Sequence, residues 1–441
     1  MRQIIASLCA FMFSILPALA AIEIKELKTP GGFTVWYIPE PAIPMISLEI
    51  GFRGGPLLDP DDKAGATYLM TGLLEEGAGP YDSVAFAKRV EELSASFNFD
   101  ASTEAITISA QFLKQNTDEV IELLRLALNE PNFDDESFER VKAQVQSIVA
   151  RRTTDQADIA SDYFNSIAYQ NHPYGRPYQG TTETVSNLTQ DDVRAALNRS
   201  FAKDRIYIGA VGDFTEEELG AIVDKLFSQL PSTGGAFPAT VAFAGKPITQ
   251  VVEYDSPQSI AVWGHEGIKQ DDPDFFPAFV MNRILGGGGF GSRLTEEVRV
   301  KRGLTYGVSS YLASRDLAQF YGGQVASSNE NIAEAIDVIR GEWKRMAEGG
   351  VTDEELQDAI RNMTGSYVLR FDGNAQIASI LRYSQMDDFP IDYPANRNSY
   401  IETVTKEDIA RVAKRLLREE EIFFIVVGQP QGLDADVVTP N

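Results

Sequence analysis

Two stretches of the chain follow one pattern: LTQDDVRAALNRSFAKDRIYIGAVGDF at 188–214 and VTKEDIARVAKRLLREEEIFFIVVGQP at 404–430. In each, a threonine (Thr189 or Thr405) precedes an aspartate (Asp192 or Asp408) by three residues, a spacing typical of the capping box that starts a helix. An apolar, strand-like run then ends in Val-Gly at the same distance from the threonine. The sequence therefore contains an internal duplication.

The beginnings of the two copies also match. The alternating runs ISLEIGF at 46–52 and IAVWGHE at 260–266 are typical of strands, and each precedes an apolar, helix-like stretch, at 66–74 and 277–285. Large apolar residues of the two stretches pair at one constant offset: Tyr68, Met70, Leu73 and Leu74 with Phe279, Met281, Ile284 and Leu285.

The duplication predicts an α+β fold of two homologous domains, at 21–231 and 249–441. A linker rich in proline, glycine and serine joins them at 232–248. Strands at the start, middle and end of each copy, separated by helices, predict one mostly antiparallel sheet with helices packed on one side.

Residues 1–20 have the features of a secretory signal peptide. Arg2 precedes an apolar run, and Ala18 and Ala20 frame an A-x-A cleavage site. We therefore expect cleavage after Ala20 and a periplasmic location. The run is short for a membrane anchor, which is the alternative interpretation. No later segment predicts insertion into a membrane.

The composition excludes several classes of function. The net charge of −25 would repel a polyanion, so nucleic acid is not an expected partner. Cys9 lies in the predicted signal peptide, so the mature chain has no disulfide, thiolate nucleophile or cysteine metal site. The glycine run LGGGGFGSRL at 285–294 follows a helix and lacks Gly-Lys-Ser/Thr, which argues against a phosphate loop.

The stretch GATYLMTGLLEEGAG at 65–79 resembles the zinc helix of the pitrilysin/insulinase family of metallopeptidases, Gly-x-x-His-x-x-Glu-His-Met-x-Phe-x-Gly. Gly65 and Gly77 match the two framing glycines. Tyr68 and Gly72 stand where that family has its histidine ligands, and Thr71 stands where it has the catalytic glutamate. The resemblance therefore implies that this chain binds no zinc there.

Other residues of the first copy offer no substitute for that site. The family's distal carboxylate ligand would fall within 136–146, where Glu139 is a possible leftover. His172 lies in a loop of the stretch 168–189 and is not a ligand by this mapping, and His265 lies in the other copy.

The segment LTEEVRVKRGLTYGVSSYLAS at 294–314 resembles a second family motif, in which an arginine and a tyrosine reach into the active site. Those positions are Arg299 and Tyr306. We expect Arg299 near the end of a helix that Gly303 terminates, and Tyr306 at the start of a strand. A surface arginine and a core-edge tyrosine remain the alternative, because both residue types are common.

The resemblance implies a subunit without zinc. We expect a heterodimer with a zinc-binding homologue that cleaves peptides or unfolded segments, with Arg299 and Tyr306 contributed to the partner's site. One alternative is an inactive scaffold subunit of an envelope complex. Another, a self-sufficient homodimeric peptidase, requires a metal site that the sequence does not contain.

Overall fold

The computed structural model describes residues 23–438, so the predicted signal peptide lies outside the described residues. Within that range no helix is both long and apolar enough to cross a membrane. The strands are β1 (Lys25–Lys28), β2 (Thr34–Pro39), β3 (Met45–Arg53), β4 (Gly77–Ala78), β5 (Tyr81–Asp82), β6 (Ser96–Ala101), β7 (Ala105–Leu113), β8 (Ile206–Gly212), β9 (Thr249–Glu253), β10 (Gln258–Glu266), β11 (Thr305–Ser314), β12 (Gln319–Ser328), β13 (Phe423–Gly428) and β14 (Asp436–Val438). The α-helices are α1 (Ala66–Leu73), α2 (Ser83–Glu92), α3 (Thr117–Asn129), α4 (Asp135–Arg152), α5 (Gln156–Ala168), α6 (Thr182–Ser186), α7 (Gln190–Ser200), α8 (Glu216–Phe227), α9 (Phe275–Asn282), α10 (Ile332–Gly349), α11 (Asp353–Tyr367), α12 (Asn374–Met386), α13 (Tyr393–Glu402) and α14 (Lys406–Leu416).

The large strands form two six-stranded sheets with the same internal order. Sheet 1 runs β1-β2-β8-β3-β7-β6, and sheet 2 runs β14-β9-β13-β10-β12-β11. In both, the second and third strands of this order are parallel and the following pairs are antiparallel. Only the outermost first strand differs, because β1 is antiparallel to its neighbour and β14 is parallel. The predicted α+β class with two homologous sheets is confirmed.

The duplicated stretches fold as predicted. Thr189 and Thr405 each form a reciprocal capping box with their aspartate, and these boxes begin α7 and α14. The strands that follow end at Gly212 and Gly428, whose φ angles are 153° and 146°. A Cβ atom on Gly212 would lie 2.3 Å from the Met45 carbonyl oxygen, so glycine is required there.

Pairing with those strands fixes which residues of the two halves are equivalent. Ile46 on β3 lies opposite Gly212. Because Ile260 on β10 pairs with Val427, its neighbour Ser259 lies opposite Gly428. The runs compared in the sequence begin at Ile46 and Ile260, but the equivalent of Ile46 is thus Ser259.

Each half, 23–231 or 249–438, packs its own helices on one face of its sheet, which we call the inner face. In the first half this core contains Leu48, Ile50 and residues of α1, α3 and α8. In the second half it contains Trp263 and residues of α9, α10 and α14. Successive strand residues point to opposite faces, so alternate residues of the same strands form an outer face.

The outer face of sheet 1 is covered by α12, a helix of the second half. A Cβ atom on Gly209 would lie 2.2 Å from the Ala378 carbonyl oxygen, so the backbone of α12 lies almost directly on β8. The Gln385 side-chain amide also donates to the Ile208 carbonyl at 2.8 Å. The close approach depends on the missing side chain at Gly209.

The outer face of sheet 2 is covered by α5, a helix of the first half. The Phe164 ring centroid lies 5.3 Å from those of Phe320 and Phe423. The Gln156 side-chain amide donates to the Val427 carbonyl at 2.7 Å. Each sheet therefore has helices on both faces. Helices from the same half pack on one face, as predicted, and a helix from the other half covers the opposite face.

Residues 231–248, between the halves, form neither helix nor strand. The segment is nevertheless held to both halves, because the Val241 N–H donates to the Leu317 carbonyl and the Ala244 N–H donates to the Ala168 carbonyl, each at 2.9 Å. The exact domain limits at 231 and 249 stay a prediction.

Candidate functional site

The first candidate region is α1, the helix with the degenerate zinc motif. Its start is fixed by Asp59, a buried carboxylate that accepts from the Thr67 N–H at 3.0 Å and from Arg199 at 3.0 Å. Gly65, with a φ of 94°, is its N-cap residue, and a Cβ atom there would lie 2.4 Å from the Gln179 carbonyl oxygen. The leading glycine of the motif is thus explained by backbone packing alone.

The three positions that correspond to zinc chemistry do not fit a metal. Tyr68 packs edge-on against Tyr178, with ring centroids 5.8 Å apart. The Thr71 hydroxyl donates to the Tyr68 carbonyl at 2.8 Å, which engages it within its own helix. Gly72 offers no side chain, and a Cβ atom there would already lie 3.1 Å from a Val141 methyl group on α4. A phenol, an engaged hydroxyl and a glycine cannot replace two imidazoles and a carboxylate.

Glu139, the possible leftover ligand, lies on α4 and is exposed. Its neighbour Arg140 pairs with Glu76, which lies three residues after the end of α1, in an ordinary surface contact. Throughout 23–438, no three or more histidine, cysteine, aspartate or glutamate side chains are placed to hold a metal ion.

The second candidate region is the segment that leads to Arg299 and Tyr306. It contains two π-helical turns, Arg283–Gly287 and Thr295–Val300, and the second of these carries Arg299. Gly303 follows with a φ of 66°, the left-handed conformation predicted for the end of this helix. π-helical turns are rare and occur frequently at functional sites.

Tyr306 lies on β11 at an irregularity of the strand pairing. Thr305 pairs with Ser327 and Gly307 with the adjacent Ala326, so Tyr306 has no partner on β12. Such a bulge redirects a side chain, and the Tyr306 side chain is in fact displayed to solvent, with 86% of the residue exposed. Tyr306 therefore does not lie at the edge of the core, and its contribution to an active site stays a prediction.

Arg299 and Tyr306 lie on opposite sides of one short turn, and the π-helical turn packs against β11. Arg299 is half-buried, whereas the next residue, Val300, is 59% exposed. The turn therefore exposes a tyrosine and an apolar residue to solvent beside a half-buried arginine. Both polar side chains are hydrogen-bond donors.

Glu297 stabilises this turn, a role that our sequence analysis missed. Its carboxylate accepts from Lys301 and from Arg302, each at 2.8 Å. These hydrogen bonds lower the pKa of Glu297 to about 2. The spacing of four residues to Lys301 is a usual helix-pair signal and could have indicated the contact.

The glycine run before this turn allows close packing against β11. A Cβ atom on Gly286 would lie 2.3 Å from the Ser310 hydroxyl of β11. That hydroxyl donates to Asn282 at 2.7 Å, which ties the end of α9 to the same strand. Gly289, with a φ of 60°, then turns the chain.

Neither histidine is a candidate ligand. His172 donates from Nε2 to the Ala239 carbonyl at 3.0 Å and accepts at Nδ1 from the Tyr174 N–H at 3.2 Å, so its role is to hold the loop. His265 is buried, donates from Nδ1 to the Glu266 carbonyl and accepts at Nε2 from the Trp343 indole. Burial lowers the pKa of His265 to about 4.

Comparison with known proteins identifies the family of this chain, and the two family models meet within the first half rather than at the boundary between the halves. Residues 35–182 match the family model described as insulinase (peptidase family M16), and residues 187–363 match that of the peptidase M16 inactive domain. A crystal structure of a peptidase M16 inactive domain from Pseudomonas fluorescens has a TM-score of 0.86 and 25% sequence identity, covering 94% of this chain and 99% of its own.

Relatives with similar sequences carry both peptidase and non-peptidase names. A Helicobacter pylori protein named non-peptidase homolog YmxG is 28% identical, covering 93% of this chain and 94% of its own. An uncharacterized zinc protease of Streptomyces coelicolor is 23% identical, with coverages of 89% and 87%. A probable mitochondrial-processing peptidase subunit beta of Schizosaccharomyces pombe is 24% identical, with coverages of 94% and 93%.

Proposed function

Because this chain belongs to the insulinase (M16) family of peptidases and is a non-peptidase homologue within it, we propose that it is the subunit without zinc of an exported heterodimeric peptidase. In this proposal a homologous partner carries zinc and the catalytic base, and the pair cleaves peptides or unfolded segments. Arg299 and Tyr306 of this chain complete the partner's active site.

One contrast supports the proposal: the three metal positions of the first half do not fit a metal, whereas Tyr306 of the second half is exposed to solvent. Tyr68 packs against Tyr178, and Thr71 bonds within its helix. Tyr306, by comparison, is 86% exposed on a bulge, where it adds little to the core. A large side chain held out of the core by a backbone irregularity favours a binding role.

The chemistry of the two side chains fits this role. A guanidinium and a phenol donate hydrogen bonds to a peptide carbonyl oxygen and stabilise the negative charge that develops on it during attack by water. Removing one such donor typically lowers kcat by about 10² to 10³. Neither group has to bind metal, so the lost motif of α1 does not prevent this contribution.

The first experiment isolates the tagged chain from its own cells and combines native mass spectrometry with metal analysis. The proposal expects a complex with one homologous partner and one zinc per pair, and a mature chain that begins at Ala21. Arg299→Gln and Tyr306→Phe should then lower peptide cleavage by about 10² or more each while the complex stays assembled.

Tyr311→Phe is the matched control, because Tyr311 lies on the same strand, is 45% exposed and also loses only a hydroxyl. Full activity of Arg299→Gln and Tyr306→Phe in the assembled pair would disprove the proposal. Isolation in a metal-free assembly would instead favour the scaffold function, in keeping with the non-peptidase name of the Helicobacter pylori relative.

A further inference from the structure

A separate pocket in the second half carries an unusual set of charges. Its volume is about 190 Å³, and it lies where α9 and its π-helical continuation meet α11 and α13. Three arginines line it, together with three apolar or aromatic side chains: Arg283, Arg370 and Arg397, with Phe279, Met363 and Tyr367. No aspartate or glutamate lines it.

Arg397 is the central feature of this arginine pocket. The residue is only 8% exposed, and its Nη1 donates to the Met363 carbonyl at 2.9 Å. Its guanidinium carbon lies 4.6 Å from the ring centroid of Tyr367 and 5.8 Å from that of Phe279. Two rings and a backbone carbonyl therefore fix the direction in which the guanidinium points.

The charge of Arg397 has no anionic partner in the folded chain. Within 23–438 no carboxylate forms an ion pair with Arg283, Arg370 or Arg397, whereas most other arginines there are paired. Burial and the charge of Arg370 lower the pKa of Arg397, opposed by Tyr393 and Tyr367. Burial also raises the pKa of Tyr367 to about 12, so that phenol is neutral near neutral pH.

An uncompensated cation is unfavourable when buried, and this one lies in a protein whose net charge is −25. Acidic side chains are abundant in the chain, yet among the described residues none lines the pocket to neutralise its arginines. Three guanidinium groups around one cavity match the planar, bidentate geometry in which arginine binds a carboxylate. The aromatic and thioether walls match an apolar group attached to it.

We propose that the arginine pocket binds a small carboxylate that carries an apolar or aromatic body. The carboxylate lies between Arg370, Arg397 and Arg283, and the body contacts Phe279, Met363 and Tyr367. Two sources share this chemistry, namely the C-terminal residue of a peptide and a free aromatic acid. The inference is independent of the proposed peptidase function, because it requires neither a partner nor zinc.

Isothermal titration of the mature chain tests the proposal with four probes. N-acetyl-phenylalanine represents a peptide C-terminus, 3-phenylpropionate a free acid, N-acetyl-phenylalanine amide the same body without charge, and inorganic phosphate an anion without a body. At least one of the two acids should bind, at least about tenfold more tightly than the amide or phosphate. Tighter binding of the acetylated residue indicates a peptide C-terminus, and the reverse indicates a free acid.

Arg370→Gln and Arg283→Gln should each weaken the binding of that acid by about tenfold or more. Arg361→Gln is the matched control, because Arg361 lies on α11 close to the pocket wall, is exposed, pairs with Asp358 and does not line the pocket. Neither change removes the buried Arg397, so folding should persist. The proposal is overturned if neither acid binds at millimolar concentration, if the amide or phosphate binds as tightly, or if Arg361→Gln has the same effect.

Discussion

The outer faces of the two sheets occupy equivalent positions but differ in the cross-strand pair that lies beneath the covering helix. On sheet 1 the cross-strand pair beneath α12 is Glu49 with Gly209, and on sheet 2 the pair beneath α5 is Val262 with Ile425. Glu49 lies 3.6 Å from Arg382 of α12, and both side chains are largely buried. At this pair the first joint between the halves is polar and lined by glycine, although Trp36, Val211 and Leu381 add an apolar cluster beside it, whereas the second joint is apolar.

Desolvation opposes the ion pair of the polar joint. Burial raises the pKa of Glu49, although Ser109 and Arg382 lower it. Burial also lowers the pKa of Arg382, although Glu49 raises it. In both groups desolvation outweighs the attraction of the partner, so we infer that the pair orients α12 without stabilising the fold. The comparison shows that equivalent contacts between the halves can differ in their physical basis: apolar burial dominates at α5, whereas a desolvated ion pair takes part at α12.

The largest expected effect concerns the apolar joint. Phe164→Ala should lower the free energy of unfolding by about 3–5 kcal/mol, because a buried ring and its contacts with Phe320 and Phe423 are lost. Urea unfolding followed by circular dichroism measures this change. Val84→Ala, at a residue that is 76% exposed, is the control and should remain within about 0.5 kcal/mol of the wild type. A similar loss in both variants would contradict an apolar joint.

The second prediction separates the cost of desolvating Glu49 and Arg382 from the attraction between them. Arg382→Met leaves Glu49 buried without its cation, and should lower the free energy of unfolding by about 3 kcal/mol. The double variant Glu49→Leu with Arg382→Met should recover most of that loss or exceed wild-type stability, because no charge then remains to be desolvated. Chemical unfolding of both variants decides this. If the double variant were the less stable of the two, the pair would be a stabilising contact.

A third prediction compares the inner faces, where the equivalent of Phe52 is His265. Unfolded histidine titrates near 6.5 and His265 at about 4, so the unfolded state binds more protons between these values. This group's contribution to stability is therefore lost as the pH falls from about 6.5 to about 4, by up to about 3 kcal/mol.

His265→Phe, which copies the first half, should remove that part of the pH dependence. It should also cost about 1–3 kcal/mol above pH 6.5, because the Trp343 indole N–H loses its acceptor. Unfolding curves at several pH values test this, with the wild type as reference. Equal pH dependence in the two proteins would show that His265 is not responsible.

The smallest expected effect tests where the halves are alike. Thr189→Ala and Thr405→Ala each remove one side of a capping box, and each should lower the free energy of unfolding by about 1 kcal/mol. Near-equal values in thermal or urea unfolding would show that the repeated sequence makes the same contribution in both copies. Values that differ by more than about 1 kcal/mol would break the equivalence.

Local chemistry made much of this fold predictable from sequence. The capping boxes at Thr189 and Thr405 depend only on residues three apart, so the pattern reveals them directly. Alternation in 46–52 identified a strand, because one face of it is continuously apolar. The loss of zinc ligands at Tyr68 and Gly72 could also be predicted from the sequence, since it depends on residue type alone.

Other features depend on contacts that no local pattern contains. The prediction could not place α5 and α12 on the opposite half, because their partner faces are distant in sequence. The π-helical turns at 283–287 and 295–300 and the bulge at Tyr306 are departures from regular helix and strand that no periodicity in the sequence indicates. The ion pairs missing from the arginine pocket likewise become visible only when the chain is folded.

Each half covers the sheet of the other half with one helix, and this arrangement has a consequence during synthesis of the chain. Sheet 1 is complete when Gly212 has left the ribosome, but its covering helix ends only at Met386. At about 5–20 residues per second, its outer face stays open for on the order of ten to thirty seconds. The Glu49 carboxylate on that face stays hydrated during that wait, whereas the apolar residues Trp36 and Val211 stay exposed until α12 covers them. The outer face of sheet 2, by contrast, is completed by β13 when α5 already exists to cover it.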